Sequence, residues 1–306
     1  MPETVAIARV PEYALLPLLS ATGQILEASG LAVRPGERVL VKPNLVNARN
    51  ARHCTTHPLV VRAACTWLLD HGATVTVADS PAFGPAARVA RISGLEEALA
   101  GLGLTVGGLG RPVPLALTLG GTIGLSALAL EADRILNLPK LKVHCQMTLS
   151  GAVKNLFGCV VGCRKAMAHY TLGRSHEIFR SMVMDVYQAL PRAHHLMDAV
   201  RPMHRDGPIN GEPFDLGLLA ASENGVALDT SACAVLGIAP GRVPLWAEAL
   251  ARGMAGANPA DIGYPLENPT EFDAAGFELS AERALSFRPT RLIRGRIRSF
   301  LEHFGS

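Results

Sequence analysis

The chain has 306 residues, of which 49% are hydrophobic and 18% are charged. This composition excludes an intrinsically disordered chain, which combines low hydrophobicity with high net charge. A formal net charge of only +3 and an aromatic share of 5% argue against a protein that binds nucleic acid.

No targeting or membrane-spanning segment is evident in the sequence. Glu3 and Arg9 interrupt the apolar positions at the start, unlike a secretory signal. The longest uncharged stretch, residues 112–130, holds two prolines and the pair Gly120-Gly121, so we expect buried strands and a short helix there instead of a membrane span. Six cysteines in so long a chain do not indicate a disulfide framework. We therefore expect a cytoplasmic protein.

Strand-like and helix-like segments alternate along the chain. The predicted strands are 37–41, 73–78, 104–106, 134–138, 194–197 and 216–222, and the predicted helices are 58–71, 94–102 and 226–236. This alternation predicts an α/β fold with a mainly parallel sheet and helices on both faces. We assign residues 1–243 to this core domain and residues 244–306 to a C-terminal extension that ends in a basic amphipathic helix.

Polar side chains recur where the predicted apolar strands end. They are Lys42, Asn44, Asp79, Ser80, Lys140, Lys142, His144 and Asp198. In open α/β sheets, ligands bind outside the carboxyl ends of the strands. If the strands are parallel, these residues therefore predict one ligand site.

The lysines have an uneven distribution. The chain has five, and four of them fall between residues 140 and 165. Lys140, Lys142 and His144 are spaced so that they share one face of an extended segment. Because crowding and burial lower a lysine pKa, such a group can act as a general base or bind an anion. The alternative is a solvated strand edge with three polar residues.

The segment that follows indicates a turn entering a helix at residues 148–156. Ser150 and Gly151 suit the helix start, where free amides would favour an anion. Lys154 and Asn155 fall in the next turn, but the order of a P-loop is absent. Further on, Lys165 and His169 share a face if their segment is helical.

Evidence for a metal or cofactor is weak. Cys159 and Cys163 form a CxxxC spacing that suits a redox pair or part of an iron–sulfur site, but no CxxC is present and cysteine is often a small buried residue. His53 and His57 lack a nearby acidic partner for zinc. The glycines between residues 101 and 110 follow a helix, which is the reverse of the dinucleotide-binding order. We expect no cofactor.

Several motifs together resemble one family, the domain-of-unknown-function family numbered 362. They are LPKLKVH (138–144), GAVKNLFGCVVG (151–162), VLVKPNLV (39–46), THP (56–58), VADSP (77–81), MDAV (197–200), GPINGEP (207–213) and ALD (227–229). The resemblance implies an α/β fold that is distantly similar to nickel-pincer lactate racemases. Many members carry a ferredoxin-like segment with clustered cysteines, which this chain lacks.

The resemblance also implies a shared pocket. The matching positions are Lys42, Asn44, Asp79, Lys140, Lys142, His144, Lys154, Asn155, Asp198 and Asp229. The first hypothesis is an enzyme without a metal that acts on a small anionic molecule. Lys140, Lys142, His144 and Lys154 would be catalytic. The residues assigned to substrate binding are Lys42, Asn44, Asp79, Ser80, Asn155, Lys165, His169, Asp198 and Asp229.

Carboxylate or phosphate would be held by Lys154, the helix start and one of Lys140 or Lys142. A second lysine or His144 would move a proton in an isomerisation, a dehydration or a proton abstraction next to a carbonyl. The alternatives are a reductase fed by an external electron donor and a protein that binds a metabolite without converting it. The sequence leaves self-association into a homo-oligomer open.

Overall fold

The computed structural model describes residues 2–82, 84–161 and 176–281. The helices are α1 (Leu15–Ala28), α2 (Ala51–Cys54), α3 (Pro58–Asp70), α4 (Ala86–Ser93), α5 (Leu95–Ala100), α6 (Ala127–Glu131), α7 (Ala152–Leu156), α8 (His176–Ala189), α9 (Gly225–Val235) and α10 (Pro244–Ala251). The strands are β1 (Glu3–Thr4), β2 (Ala6–Arg9), β3 (Arg38–Pro43), β4 (Thr74–Ala78), β5 (Val106–Gly107), β6 (Pro112–Ala116), β7 (Thr122–Ser126), β8 (Arg134–Leu138), β9 (Lys140–His144), β10 (Thr148–Ser150), β11 (Ala193–His204), β12 (Glu212–Pro213), β13 (Leu218–Ser222) and β14 (Ile262–Gly263).

Within these ranges, a ten-stranded sheet organises the fold. Strands β5, β4, β3, β8 and β11 lie side by side in that order and pair in parallel. Strand β9 follows β8 after Pro139 and continues along β11, also in parallel. Strands β10, β12, β13 and β2 extend the sheet by antiparallel pairing. The carboxyl ends of β3, β4 and β8 therefore meet at one edge, next to β9.

Helices cover both faces of this sheet. Side chains alternate along β3, so that Val39 and Val41 pack with α1 and α3 while Leu40 packs with α7 and α8 on the other face. Strand β8 is buried at every position, as expected for a parallel strand covered on both sides. The predicted α/β class with helices on both faces is confirmed.

The peripheral segments pack onto this core. The uncharged stretch at residues 112–130 forms the hairpin β6–β7 and helix α6. Of the C-terminal extension, β14 pairs with β1, and Trp246 of α10 is buried in the same cluster as α8. The basic helix predicted near the C-terminus lies outside the described residues. None of the helices in residues 2–82, 84–161 and 176–281 has the length and apolar character that a membrane crossing requires.

Candidate functional site

A cleft of about 230 Å³ opens at the carboxyl edge of the parallel strands. Among the described residues, four lysines line it. The predicted site residues in its wall are Lys42, Asn44, Asp79, Ser80, Lys140, Lys142, His144, Lys154 and Asn155. The sequence analysis did not assign Phe157, Gly158, Pro208 or Ile209, which also line it.

Strand β9 places its polar side chains on the cleft side. Lys140, Lys142 and His144 line the cleft and are 3%, 3% and 9% exposed. Leu141 and Val143, between them, are buried in hydrophobic clusters. This burial contradicts the alternative of a solvated strand edge.

Lys42 is neutralised by Asp79 at the end of the neighbouring strand. The Lys42 Nζ lies 2.6 Å from Asp79 Oδ1, and the two side chains are 1% and 3% exposed. The other oxygen, Asp79 Oδ2, accepts the N–H of Leu45 at 2.7 Å. Gly158 lies so close that a Cβ there would be 2.6 Å from the Lys42 Nζ. The backbone of Gly158 therefore packs directly against the ion pair, and this close contact leaves no room for a side chain at that position.

The partners of Lys140 are two residues that do not line the cleft. Its Nζ donates to Asp198 Oδ2 at 3.0 Å and to the Tyr13 hydroxyl at 2.6 Å, and that hydroxyl donates to Asp198 Oδ1 at 2.8 Å. The backbone N–H of His57 also donates to Asp198 Oδ2. Burial lowers the pKa of Lys140, and the charge of Asp198 opposes that shift. Asp198 is completely buried and does not line the cleft, so it lies behind the wall as the counter-ion of Lys140, away from the cleft surface.

Lys142 differs from these two lysines because no described carboxylate pairs with it. Its Nζ donates to Asn44 Oδ1 and to the backbone oxygen of Cys54, the latter at 2.7 Å. Burial lowers the pKa of Lys142 to about 7, and the positive charges of Lys154 and Lys140 act in the same direction. Lys142 is thus a titratable amine in the wall of a cleft.

His144 ends the polar face of β9. Its Nδ1 accepts the backbone N–H of Gln146 at 3.1 Å. In the neutral ring the proton therefore lies on Nε2.

The start of helix α7 does not offer its amides to a ligand. The N–H groups of Ala152 and Val153 donate to Asp229, at 2.5 Å to Oδ1 and 3.1 Å to Oδ2. A side chain at Gly151 would overlap this carboxylate. The expectation that free amides here bind a substrate anion is wrong, because an internal carboxylate from α9 already occupies them.

Asp229 itself lies away from the lysine cleft. It borders an apolar cavity of about 30 Å³ on the other side of Gly151. Burial raises the pKa of Asp229 to about 7, while the two backbone N–H groups lower it. Ser150 is not the helix cap either, because its hydroxyl is buried with no hydrogen-bond partner among the described residues.

The cysteines and two residues of the predicted substrate site were the remaining candidates. Lys165, His169 and Cys163 lie outside the described residues. Cys159 is completely buried in a hydrophobic cluster with residues of α7 and α8. In the described part of the chain, no group of three or more His, Cys, Asp or Glu side chains is arranged to hold a metal ion.

These features define an α/β protein with a lysine-lined cleft at the carboxyl edge of its sheet. The family described as "Domain of unknown function (DUF362)" matches residues 39–234. A thylakoid-associated protein of Synechocystis sp. is 33% identical over 321 residues, which cover 99% of this chain and 96% of that protein. The chain belongs to the DUF362 family.

Two solved structures align with part of this chain. The lactate racemase apoprotein of Thermoanaerobacterium thermosaccharolyticum aligns with a TM-score of 0.48 and 15% identity over 76% of this chain. A protein from Thermotoga maritima aligns with a TM-score of 0.41 and 12% identity over 67% of this chain. The alignments span 57% and 55% of those two proteins.

Proposed function

We propose that the protein is an enzyme that acts on a small anionic metabolite, a carboxylate or phosphate, with Lys142 as the proton acceptor. One observation carries the proposal. The Lys142 amine is buried in the wall of the cleft and bonds to two neutral oxygens, with no carboxylate partner among the described residues.

The hydrogen bonds of the Lys142 amine leave its lone pair available to act as a base. A neutral amine has two N–H bonds and one lone pair, and the oxygens of Asn44 and Cys54 accept both N–H groups. The lone pair then remains for the cleft. When the amine takes up a proton, the same two oxygens stay bonded and the third N–H replaces the lone pair. Lys142 can therefore accept and return a proton without moving its partners, at a pKa near the neutral pH that general bases require.

The lysines in the cleft favour an anion. Four described lysines line it, and two of them have a carboxylate partner: Asp79 in the wall pairs with Lys42, and Asp198 behind the wall pairs with Lys140. The N–H groups of lysines are suitable donors to the oxygens of a carboxylate or phosphate. Such donors also stabilise negative charge that develops when Lys142 removes a proton, by a few kcal/mol for each well-placed donor. His144 supplies a second group for proton transfer, as an isomerisation or a dehydration needs.

The test uses exchange of hydrogen for deuterium and needs no known substrate. A metabolite extract in D2O is incubated with the wild-type protein and with Lys142→Arg, and deuterium uptake into each metabolite is measured by mass spectrometry. Arginine keeps the positive charge but cannot lose its proton. We expect at least one anionic metabolite to gain deuterium with the wild type alone.

Two results would overturn the proposal. One is equal labelling by the Lys142→Arg protein, provided that its melting temperature matches that of the wild type. The other is an anion that copurifies with the wild-type protein and never exchanges, which would favour a binding protein over an enzyme. A cytoplasmic location is also part of the proposal. Fractionation of cells that express the tagged chain tests it against the thylakoid association named for the Synechocystis relative.

A further inference from the structure

Three asparagines connect Lys142 to the interior of the protein. Asn44 follows β3, Asn155 lies on α7 and Asn137 is the penultimate residue of β8. The Asn44 Nδ2 donates to Asn155 Oδ1 at 2.8 Å, and the Asn155 Nδ2 donates to Asn137 Oδ1 at 2.7 Å. Together with the bond from Lys142 to Asn44, they form a continuous chain of hydrogen bonds that we call the amide relay.

The hydrogen bonds of the amide relay can point in either of two directions along the chain of asparagines. Rotation of an asparagine amide by half a turn exchanges its oxygen and its NH2 group with little change of shape. In the reverse sense, Asn44 would present its NH2 group to Lys142 and donate to the lone pair of the neutral amine. That bond would occupy the lone pair that the proposed base needs.

At the end of the relay away from Lys142, a backbone carbonyl determines the direction of the hydrogen bonds. The Asn137 Nδ2 donates to the oxygen of Ala152 at 3.0 Å. A carbonyl oxygen only accepts hydrogen bonds, so a reversed Asn137 would place two oxygens against each other. The Ala152 peptide cannot easily shift, because the N–H groups of Ala152 and Val153 are bonded to Asp229.

We propose that Asn137 is a positioning residue: anchored on the Ala152 carbonyl, it sets the direction of the amide relay so that Asn44 presents its oxygen to Lys142. This inference rests on the proposed function, because the direction matters only if Lys142 uses its lone pair. It also moves Asn44 and Asn155 from direct substrate binding to the support of Lys142.

His195 provides an internal comparison. Its Nδ1 lies 2.9 Å from the Asn137 Nδ2, at the end of the same relay. A neutral imidazole presents either a lone pair or an N–H at this nitrogen, depending on its tautomer. Burial lowers the pKa of His195 to about 3, so the ring stays neutral. Unlike the Ala152 carbonyl, His195 can follow either sense of the relay and does not select it.

The experiment measures the titration of Lys142 by NMR in protein labelled with 13C and 15N at lysine. The chain has five lysines, so their signals are few, and the Lys142→Arg variant assigns the one of interest. We compare the wild type with Asn137→Leu and His195→Leu. In Asn137→Leu the amides are free to reverse and stabilise the neutral amine, so we expect the Lys142 midpoint to fall by about one pH unit. In His195→Leu we expect no change.

A second variant covers the case in which Asn137→Leu does not fold. Asn155→Leu interrupts the relay between Asn44 and Asn137, and the same fall is expected. An unchanged midpoint in a folded relay variant, or an equal fall in His195→Leu, overturns the inference. The wild-type value separates this failure from failure of the proposed function. A wild-type midpoint of about 10.4, the ordinary value for lysine, rejects Lys142 as the base. A wild-type midpoint near neutrality that is unchanged in Asn137→Leu rejects only the role of the relay.

Discussion

The buried pair of Lys42 and Asp79 provides a sharp prediction about stability. Replacing Asp79 by asparagine removes the negative charge but keeps an oxygen to accept the N–H of Leu45. The Lys42 ammonium then lies in a site where its side chain is 1% exposed, without its counter-ion. Asp79→Asn therefore tests the charge of the pair with little change in shape.

The magnitude follows from the buried charge that Asp79→Asn leaves on Lys42. Removing one partner of a buried ion pair costs about 3–5 kcal/mol, because the remaining charge is uncompensated. We therefore predict a decrease of at least about 3 kcal/mol in the free energy of unfolding.

Urea denaturation of four proteins measures this effect: the wild type, Asp79→Asn, Lys42→Met and the double variant. We expect the double variant to recover about 2 kcal/mol or more relative to the sum of the single variants, since it has no uncompensated charge. A loss of less than about 1 kcal/mol in Asp79→Asn, the range of an exposed pair, would refute the buried geometry.

Three more changes have expected outcomes. Ser150→Ala removes a buried hydroxyl that has no described partner, so the free energy of unfolding should rise by about 1 kcal/mol or more. Ser231→Ala removes a hydroxyl that is bonded to two oxygens, so the free energy of unfolding should fall. Urea denaturation measures both variants, and destabilisation of both would contradict this prediction. Burial lowers the pKa of His194 to about 3, so below the unfolded-state pKa of about 6.5 only the unfolded state takes up its proton, and stability falls. His194→Gln should therefore reduce the loss of stability between about pH 7 and about pH 5 by about 2 kcal/mol, and thermal melts with identical pH dependence in the two proteins would refute the assignment. Gly158→Ala should destabilise the fold by about 1–3 kcal/mol, because the new methyl group collides with the buried lysine; a melting temperature equal to that of the wild type would show that the wall is not closed there.

The sequence predicted the layers of the fold and the location of the cleft. The alternation in β9 could be predicted because Leu141 and Val143 separate three polar residues. The pairing of β3 and β4 in parallel then brings Lys42 and Asp79 to the same edge of the sheet. These features depend on periodicity of 2 and on the order of elements, which are local properties of a chain.

Long-range contacts explain the parts that local pattern missed. The predicted strand 194–197 stops at Asp198, but β11 continues to His204 because Lys140 compensates the buried carboxylate. Helix α4 was not predicted, and Gly94, with a φ of 84°, separates it from α5. Asp229 caps the start of α7 from 77 residues away, so no local motif indicates that the amides are occupied.

Asn137 shows the same limit for the candidate site. It lies between Leu136 and Leu138 in a strand that is buried throughout, where a single polar residue has no visible role. Its role in the proposed relay depends on Asn44 and Asn155, which reach it only through the fold.

The protonation state of Lys142 at neutral pH tests the account most directly. Competitive labelling with a trace of acetic anhydride across a pH series, followed by peptide mass spectrometry, reports the fraction of each lysine that is neutral. We expect the reactivity of Lys142 to rise with a midpoint near pH 7, because burial without a described counter-ion disfavours the ammonium form. A midpoint near about 10.4 would contradict the account, since Lys142 would then remain an ammonium at neutral pH with no lone pair for a substrate.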